Sequence, residues 1–422
     1  MALSKNEQTR AFFIIAILYG IWHTTWEWWR LLVVHVQLSI QDRLGRSVVT
    51  DVRFLQTLSH MFILIGSLIF GQMIDVVGTR ITAFLSILVT GVLYIAHSQI
   101  DTYPGFIWIM PLFTAHQFAP LCETYVATIS DEERRVTSAM RLRFPLGIAA
   151  VVGPCLAILI TRISEETSES QLVAGVVLLV LSLPIVWFLL PEPQATSASK
   201  TSFVKPIASS RRFLDYIELL NNDAVLKTLL IQFLLDGPYQ YYEYLRRQYI
   251  VSQYLVQAAD MIYLVITVGA VTIFANLFLI QWAQVVFPNR QRRLQVILAF
   301  LAVIYAVIGL SLFNFSVILI CMPVQMACVS VVYADLLTQL TVGVAAVDRR
   351  HFSKVISLAR FTQLLAGAVM PLLAVYLTKE FHFDWWCYVA AVASIGVALV
   401  LQLIGSFMSV THSKLPSYYI SY

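Results

Sequence analysis

Charged residues are scarce in this chain of 422 residues. Only 12% of the residues are Asp, Glu, Lys or Arg, whereas 59% are hydrophobic. An ordinary soluble domain is about a quarter charged, so a water-soluble globular protein is excluded. The net charge is only +4 and no run of basic residues occurs, so no nucleic-acid partner is expected.

Cysteine pairs and catalytic clusters are also missing. The five cysteines all lie in apolar stretches without metal-ligand spacing, and we expect buried free thiols and no metal site. The histidines His23, His60, His97 and His116 are scattered, and no nucleophile stands beside a base. We therefore predict that the chain is not an enzyme and needs no cofactor. No filter-like loop favours a channel.

Long apolar stretches dominate what the chain does contain. Stretches of about twenty residues recur along its length, enough to cross roughly 30 Å of hydrocarbon. Lipid offers the backbone no hydrogen-bond partners, so such stretches must be helices. We predict an all-α membrane protein with twelve transmembrane helices. Their predicted bounds are 11–37, 53–74, 81–99, 105–128, 137–161, 171–190, 224–249, 258–281, 294–313, 316–340, 354–378 and 385–409.

The longest polar interruption lies between the sixth and seventh predicted helices. It divides the chain into an N-terminal bundle over 1–190, a cytoplasmic central loop over 191–223, and a C-terminal bundle with a short tail over 224–422. If the N-terminus is inside, the cytoplasmic loops hold most of the Lys and Arg, as the positive-inside rule requires. We expect both termini in the cytoplasm and, in the absence of a sorting motif, the plasma membrane as the default location.

An internal repeat supports this division into halves. A shift of 217 residues places Arg143 on Arg360 and Pro154 on Pro371, and polar matches at one offset carry more weight than apolar ones. Secondary transporters often contain such repeats. We predict two pseudo-symmetric six-helix bundles around a central cavity, with Arg143 and Arg360 bracing helices five and eleven against nearby acids.

The loop between the second and third predicted helices contains Gly71, Asp75, Gly78 and Arg80 in the pattern G-x-x-x-D-x-x-G-x-R. This pattern, at this place, resembles the signature of the major facilitator superfamily and implies transport by alternating access. Gly78 permits a tight turn, and Asp75 can cap the positive end of a helix in the other half. Arg80 can pair with a carboxylate there. We predict that these residues form a latch that holds the inner gate shut.

Ionisable side chains inside membrane spans are costly, so their positions indicate function. Helix one places Glu27 beside Trp26 with Arg30 one turn later, and Glu and Arg at that spacing partly neutralise each other. The same pattern fits an outer belt of tryptophans and arginines. Glu123 and Glu27 are our first candidates for binding the solute or a proton, and Asp236 is the third. The full set of candidates is Glu27, Glu123, Asp236, Glu243, Trp26, Tyr239, Gln240, His116 and Asp335.

Short strings also resemble the reduced folate carrier and thiamine transporter family. They include Leu18-Tyr19-Gly20 in helix one, Ala119-x-x-x-Glu123 in helix four and Val136-Thr137-Ser138 in helix five. The resemblance implies a vitamin-type solute, a thiamine-like cation or folate, with proton or ion coupling. Carboxylates beside aromatic rings favour the cation, because a dianion needs unpaired arginines at mid-depth.

Two other functions fit the sequence. The segment from Gly147 to Gly153-Pro154 partly resembles an antiporter motif, which implies proton-coupled export of an organic solute or drug. The counterpart of the latch in the second half, around 284–290, has no acid, which fits a transporter-like receptor that no longer transports. In each case the expected partners are a small organic solute, a proton or counter-ion and the lipid bilayer, and we expect a monomer.

Overall fold

The computed structural model describes residues 5–44, 48–100, 102–130, 132–192, 210–253, 267, 269–271, 273–311, 315–345, 352–381 and 385–412. The regular secondary structure in this part of the chain is entirely helical. In the first half, the helices are α1 (Lys5–Leu44), α2 (Val48–Val77), α3 (Thr79–Ser98), α4 (Tyr103–Ile109), α5 (Phe118–Ile129), α6 (Glu132–Ser164) and α7 (Thr167–Pro184). From the central loop onward they are α8 (Ser210–Leu220), α9 (Asp223–Gln253), α10 (Ile280–Val286), α11 (Arg290–Leu310), α12 (Phe315–Ala345), α13 (Phe352–Phe381) and α14 (Trp385–His412).

Each of the twelve predicted spans coincides with helix in the described part of the chain. A π-helical turn, Ile185–Leu189, continues α7, and another, Ala275–Leu279, leads into α10. By length and composition alone, six described helices can cross a membrane, and these stretches lie in α2, α3, α6, α7, α11 and α12. Helix α1 is more polar because tryptophan, His23, Glu27 and Arg30 interrupt its apolar residues.

The fourth span departs from the prediction of one continuous helix. A 3₁₀ turn, Met110–Ala115, follows α4, and His116 and Gln117 separate it from α5. Proline explains the interruption, because it lacks the N–H of the helical ladder and its ring clashes with the carbonyl four residues earlier. Pro111 stands at the start of the 3₁₀ turn, and Pro120 cannot donate to the carbonyl of His116.

The buried apolar residues form separate clusters in the two halves. The first includes Trp22 and Tyr94 and is built mainly from α1 to α7. The second includes Leu298 and Tyr305 and is built from α9, α11, α12 and α14. A further cluster joins α8 to α9 and α13 around Tyr216. Burial of such side chains stabilises each half by roughly 1.5–3 kcal/mol per large residue.

The halves touch most closely at a glycine crossing and along α2 and α13. A Cβ atom on Gly147 of α6 would lie 3.2 Å from the carbonyl oxygen of Gly269, and one on Gly269 would lie 3.0 Å from that of Gly147. Here the backbones of the two halves are in direct contact, because neither glycine has a side chain that separates them.

Candidate functional site

Two arginines related by the internal repeat reach one central region from opposite halves. Arg143 Nη2 on α6 lies 3.9 Å from Glu123 Oε1 on α5. Its guanidinium carbon lies 5.4 Å from the centre of the Tyr333 ring on α12, within range of a cation–π contact. Arg360 on α13 interacts electrostatically with Glu123 and Arg143. Both arginines therefore have an acid nearby, and we call Arg143, Glu123, Tyr333 and Arg360 the central cluster.

The arginines of the central cluster keep part of their hydrogen-bonding capacity free. The side chains of Arg143 and Glu123 are 18% and 23% exposed. Arg360 donates from Nη1 to Gln363, whose amide approaches the Tyr333 hydroxyl at 3.5 Å. Arg360 Nε is buried and has no hydrogen-bond partner among the described residues. A buried donor without an acceptor is costly, so this group is suited to an acceptor brought by a ligand.

Asp236 on α9 lies beside this cluster but is enclosed by protein. The residue is 0% exposed, and neither carboxylate oxygen has a well-formed hydrogen bond within the described residues. Arg360 acts on it electrostatically, and the amide of Gln232 approaches it from one turn earlier. A buried carboxylate in such surroundings is expensive when ionised. Because it has no accessible surface, Asp236 does not face a solute in this structure.

Glu27 and Asp335, two other predicted candidates, each form an ion pair with an arginine outside the central cluster. Glu27 Oε2 accepts from Arg30 Nη2 at 2.6 Å, which is the neutralising pair that their spacing predicts. Asp335 is almost fully buried and binds Arg293 through both oxygens, at 2.5 and 2.6 Å. Sequence reasoning missed Arg293, which lies just before the predicted ninth span. A basic residue at the start of a helix gives no sign of its partner 42 positions away.

The remaining candidates lie on α1, on α9 and in the interruption of the fourth span. Trp26 and His116 are in ring contact, with centroids 4.2 Å apart. The hydroxyl of Tyr239 donates to the sulfur of Met326 at 3.4 Å. Gln240 faces α13, where its Cδ lies 3.8 Å from the position of a Cβ on Gly367. The side chain of Glu243 lies outside the described residues.

The predicted latch connects α2 to the first turn of α13. Asp75 Oδ1 accepts a hydrogen bond from Ser353 Oγ at 2.5 Å, and Asp75 Oδ2 lies 3.6 Å from Lys354 Nζ. Gly71, one turn earlier, packs against Ser357. Asp75 thus lies at the first turn of a helix in the other half, where two side chains contact it, and its role as a cap of that helix stays a prediction. We call this side of the molecule the inner end.

Arg80 does not make the contact predicted for it. Its Nε and Nη2 donate to the carbonyl of Leu190, at 2.9 and 2.6 Å, in its own half. The nearby carboxylate of Glu192 accepts instead from the backbone N–H groups of Thr79 and Arg80, at 2.6 and 2.9 Å. The prediction of a carboxylate partner in the other half is therefore wrong. The carboxylate caps the start of α3, and the guanidinium reaches the end of the sixth span.

Gly78 has the backbone conformation predicted for a tight turn. Its φ is +93°, where residues with a side chain are strained. A Cβ at this position would also lie 2.7 Å from Glu192 Oε1. The turn and the cap on α3 therefore depend on the same glycine.

Helix α8 covers the inner end across both halves, although we predicted only a polar loop there. The Tyr216 hydroxyl donates to the carbonyl of Leu68 on α2 at 2.8 Å, and Asp215 pairs with Lys354 on α13. Burial, and then the nearby charge of Asp75, raise the pKa of Tyr216 above its ordinary value, so the hydroxyl stays protonated as a donor. In this structure α2, α8 and α13 are in contact at the inner end.

Comparisons with known proteins agree with this architecture. The family model described as Major Facilitator Superfamily matches residues 11–346. The human organic anion transporter MFSD10 (TETRAN) superposes with a TM-score of 0.78 at 13% identity, covering 94% of this chain and 99% of that one. The proton:xylose symporter XylE, bound to 6-bromo-6-deoxy-D-glucose, superposes with a TM-score of 0.71 at 11% identity, covering 94% and 96%. No match was found among curated protein sequences. These findings support the superfamily and not the folate and thiamine family.

Proposed function

The chain belongs to the major facilitator superfamily of membrane transporters, and we propose that the solute it carries is a small organic anion with one or two carboxylates. The single observation that carries the proposal is that Arg143 and Arg360, from opposite halves, share one neighbour. Arg143 lies 5.4 Å from the centre of the Tyr333 ring, and Gln363, which accepts from Arg360, approaches the hydroxyl of Tyr333. Guanidinium groups bind carboxylates through two parallel hydrogen bonds.

The accessible charge at the centre favours an anion over the thiamine-like cation. Among the acids first considered for binding, Glu27 is paired with Arg30 and Asp335 with Arg293, while Asp236 has no accessible surface. Glu123 is then the remaining acid in the described central region that can face a solute. Two guanidinium groups, those of Arg143 and Arg360, lie in the same region. A cation would meet net repulsion there, whereas a carboxylate supplies the acceptor that Arg360 Nε lacks.

Two further considerations agree with an anionic solute. Folate, the anionic alternative implied by the sequence, carries carboxylates and belongs among the compounds to test. One of the structural neighbours is described as an organic anion transporter, although at 13% identity the likeness shows only a shared fold.

We further propose that Asp236 couples transport to a proton. When Asp236 is ionised, it competes with a solute carboxylate for Arg360. When it is protonated, Arg360 is released to the solute, so uptake of the anion and of a proton are favoured together. The rate of anion uptake then rises as the medium on the side of entry becomes more acidic.

The experiment is uptake by purified protein in liposomes of radiolabelled succinate, phthalate, folate and thiamine. We expect saturable uptake of at least one anion, inhibition by the other anions, and no uptake of thiamine. Arg360→Gln should abolish uptake, whereas Arg292→Gln, a change of an exposed arginine at the start of α11, should not. Thiamine uptake without anion uptake would contradict the proposal, and saturable anion binding without flux would indicate a receptor.

A further inference from the structure

One face of α1 brings a row of aromatic side chains towards the central cluster. Tyr19, Trp22, His23 and Trp26 follow one another at helical spacing and therefore share a side of the helix. Trp22 and His23 are in edge contact, with centroids 4.8 Å apart, and Tyr19 and His23 are 4.3 Å apart. Tyr19, the first residue of the row, interacts electrostatically with Glu123 and Arg143 of the central cluster.

The interruption of the fourth span adds His116 to this row. Its ring lies 4.4 Å from Trp22 and 4.2 Å from Trp26, measured between centroids. The interruption is stabilised on both sides: Gln117 Nε2 donates to the carbonyl of Ile63 at 2.6 Å, and Ser86 Oγ donates to that of Ala115 at 2.7 Å. Hydrogen bonds from two buried side chains thus stabilise the interruption. In this conformation His116 lies against both indole rings.

Polar atoms of these rings are buried without partners. Both ring nitrogens of His23, Nδ1 of His116 and Nε1 of Trp22 have no hydrogen-bond partner among the residues that the structure describes. Trp22 and His116 are 2% and 3% exposed. Buried polar groups in folded proteins are almost always paired, because an unpaired buried group is costly. Four such atoms on three rings in contact therefore indicate a ligand that pairs with them.

The charges of the central cluster act on the rings of this row. Arg360 interacts electrostatically with His23 and His116, and Arg143 with His23. Trp26 and His23 are half-buried, so neither residue is wholly enclosed by the protein. A solute whose carboxylates bind the arginines would place its remaining atoms against these rings.

We propose that this site, made by Trp22, His23, Trp26 and His116, binds the planar aromatic or heteroaromatic ring of the transported acid. The inference rests on the proposed function, because it takes the carboxylates to be held by Arg143 and Arg360. Trp26 stacks on the face of the ring. The nitrogens of His23, His116 and Trp22 bind polar atoms at its edge. The solute class is therefore an aromatic carboxylate and not an aliphatic one.

The test compares three acids of similar size and charge in liposomes that contain the purified protein. The probes are phthalate, cyclohexane-1,2-dicarboxylate, which is not planar or aromatic, and quinolinate, which adds a ring nitrogen. In the wild type we expect the KM for phthalate to be about two- to tenfold below that for the saturated acid, and the KM for quinolinate to be lower again.

Substitutions distinguish contacts with the face of the solute ring from contacts with its edge. Trp26→Leu should remove the preference for phthalate, and Trp26→Phe should retain it. His116→Phe should remove the added preference for quinolinate and leave the preference for phthalate. Trp108→Leu, a change of a tryptophan that is 83% exposed on α4, is the matched control and should change neither ratio.

The outcomes distinguish this inference from the proposed function. Equal uptake of all three acids that still requires Arg360 would overturn the ring site and leave the organic-anion function standing. Lower thermal stability of Trp26→Leu with unchanged KM ratios would show that the rings only form the core of the bundle. Uptake of none of the three acids, nor of succinate or folate, would overturn the organic-anion function and the ring site with it.

Discussion

Asp75 on α2 and Ser353 on α13 join the two halves of the transporter through a hydrogen bond of 2.5 Å at the inner end. Lys354 adds a charge partner for Asp75 at 3.6 Å and also binds Asp215 on α8. These contacts form only while α2 and α13 are together. The halves must therefore break them each time the inner end opens.

The first prediction concerns this latch. Asp75→Asn removes the attraction to Lys354 and retains an acceptor for Ser353, so the inner end should open more often. The pair is partly exposed, and such pairs contribute about 1 kcal/mol or less. We expect maleimide labelling of Ser357→Cys, in a background without the native cysteines, to be about two- to fivefold faster. Asp223→Asn, which changes an exposed acid, is the control, and an unchanged labelling rate in Asp75→Asn would contradict the latch.

The second prediction concerns the glycine crossing of the halves. Gly147→Ala places a methyl group 3.0 Å from the backbone nitrogen of Ile273, and overpacking of this kind costs about 1–3 kcal/mol. Both the melting temperature and the transport rate should fall. Gly396→Ala is the matched control because no atom lies within 4 Å of its added Cβ. Equal stability of the two variants would show that α6 and the eighth span do not depend on this contact.

The third prediction separates a structural ion pair from solute binding. Asp335→Asn leaves the buried guanidinium of Arg293 without its charge partner, and breaking a buried pair destabilises a protein by about 3–5 kcal/mol. The melting temperature should fall strongly while the KM for the solute stays the same. The double variant Arg293→Met with Asp335→Leu should recover part of the stability. A raised KM with unchanged stability would instead place Asp335 in the binding site.

The fourth prediction concerns proton coupling. If Asp236 carries the proton, uptake of a dicarboxylate by the wild type should rise as the pH on the side of entry falls. Asp236→Asn mimics the protonated carboxyl group, so its uptake should no longer depend on pH. Glu218→Gln, an exposed acid on α8, is the control, and both should be measured against liposomes without protein. Wild-type pH dependence in Asp236→Asn would exclude this residue as the proton carrier.

The helices could be predicted from the sequence because the bilayer permits so few backbone structures. Apolar length predicted stretches that are helical wherever the structure describes them, and six of the described helices are long and apolar enough to cross a membrane. The interruption at His116 was missed, although Pro111 and Pro120 are visible in the sequence, because neighbouring helices often accommodate proline inside a membrane span. Here Gln117 and Ser86 support the interruption from outside the span, and no local pattern predicts those contacts.

The candidate site could be predicted only in part. Arg143, one member of the pair that the repeat relates, lies 3.9 Å from Glu123, and Asp75 of the latch pattern contacts Ser353 in the other half. The roles of these residues stay predictions. The partners of charged residues were harder to predict, because Glu192 and Arg293 are distant in sequence from the groups they bind. The sequence alone therefore favoured a cation, since it could not show which acids are already paired.

The most direct test of the organic-anion proposal is the uptake of radiolabelled phthalate and thiamine by liposomes that contain the wild type, Arg360→Lys or Arg360→Gln. The proposal predicts saturable phthalate uptake by the wild type and none of thiamine. Uptake should be weakened in Arg360→Lys, which keeps the charge without the planar pair of donors, and lost in Arg360→Gln. Thiamine uptake by the wild type, or phthalate uptake with the same KM in Arg360→Gln, would contradict the proposal.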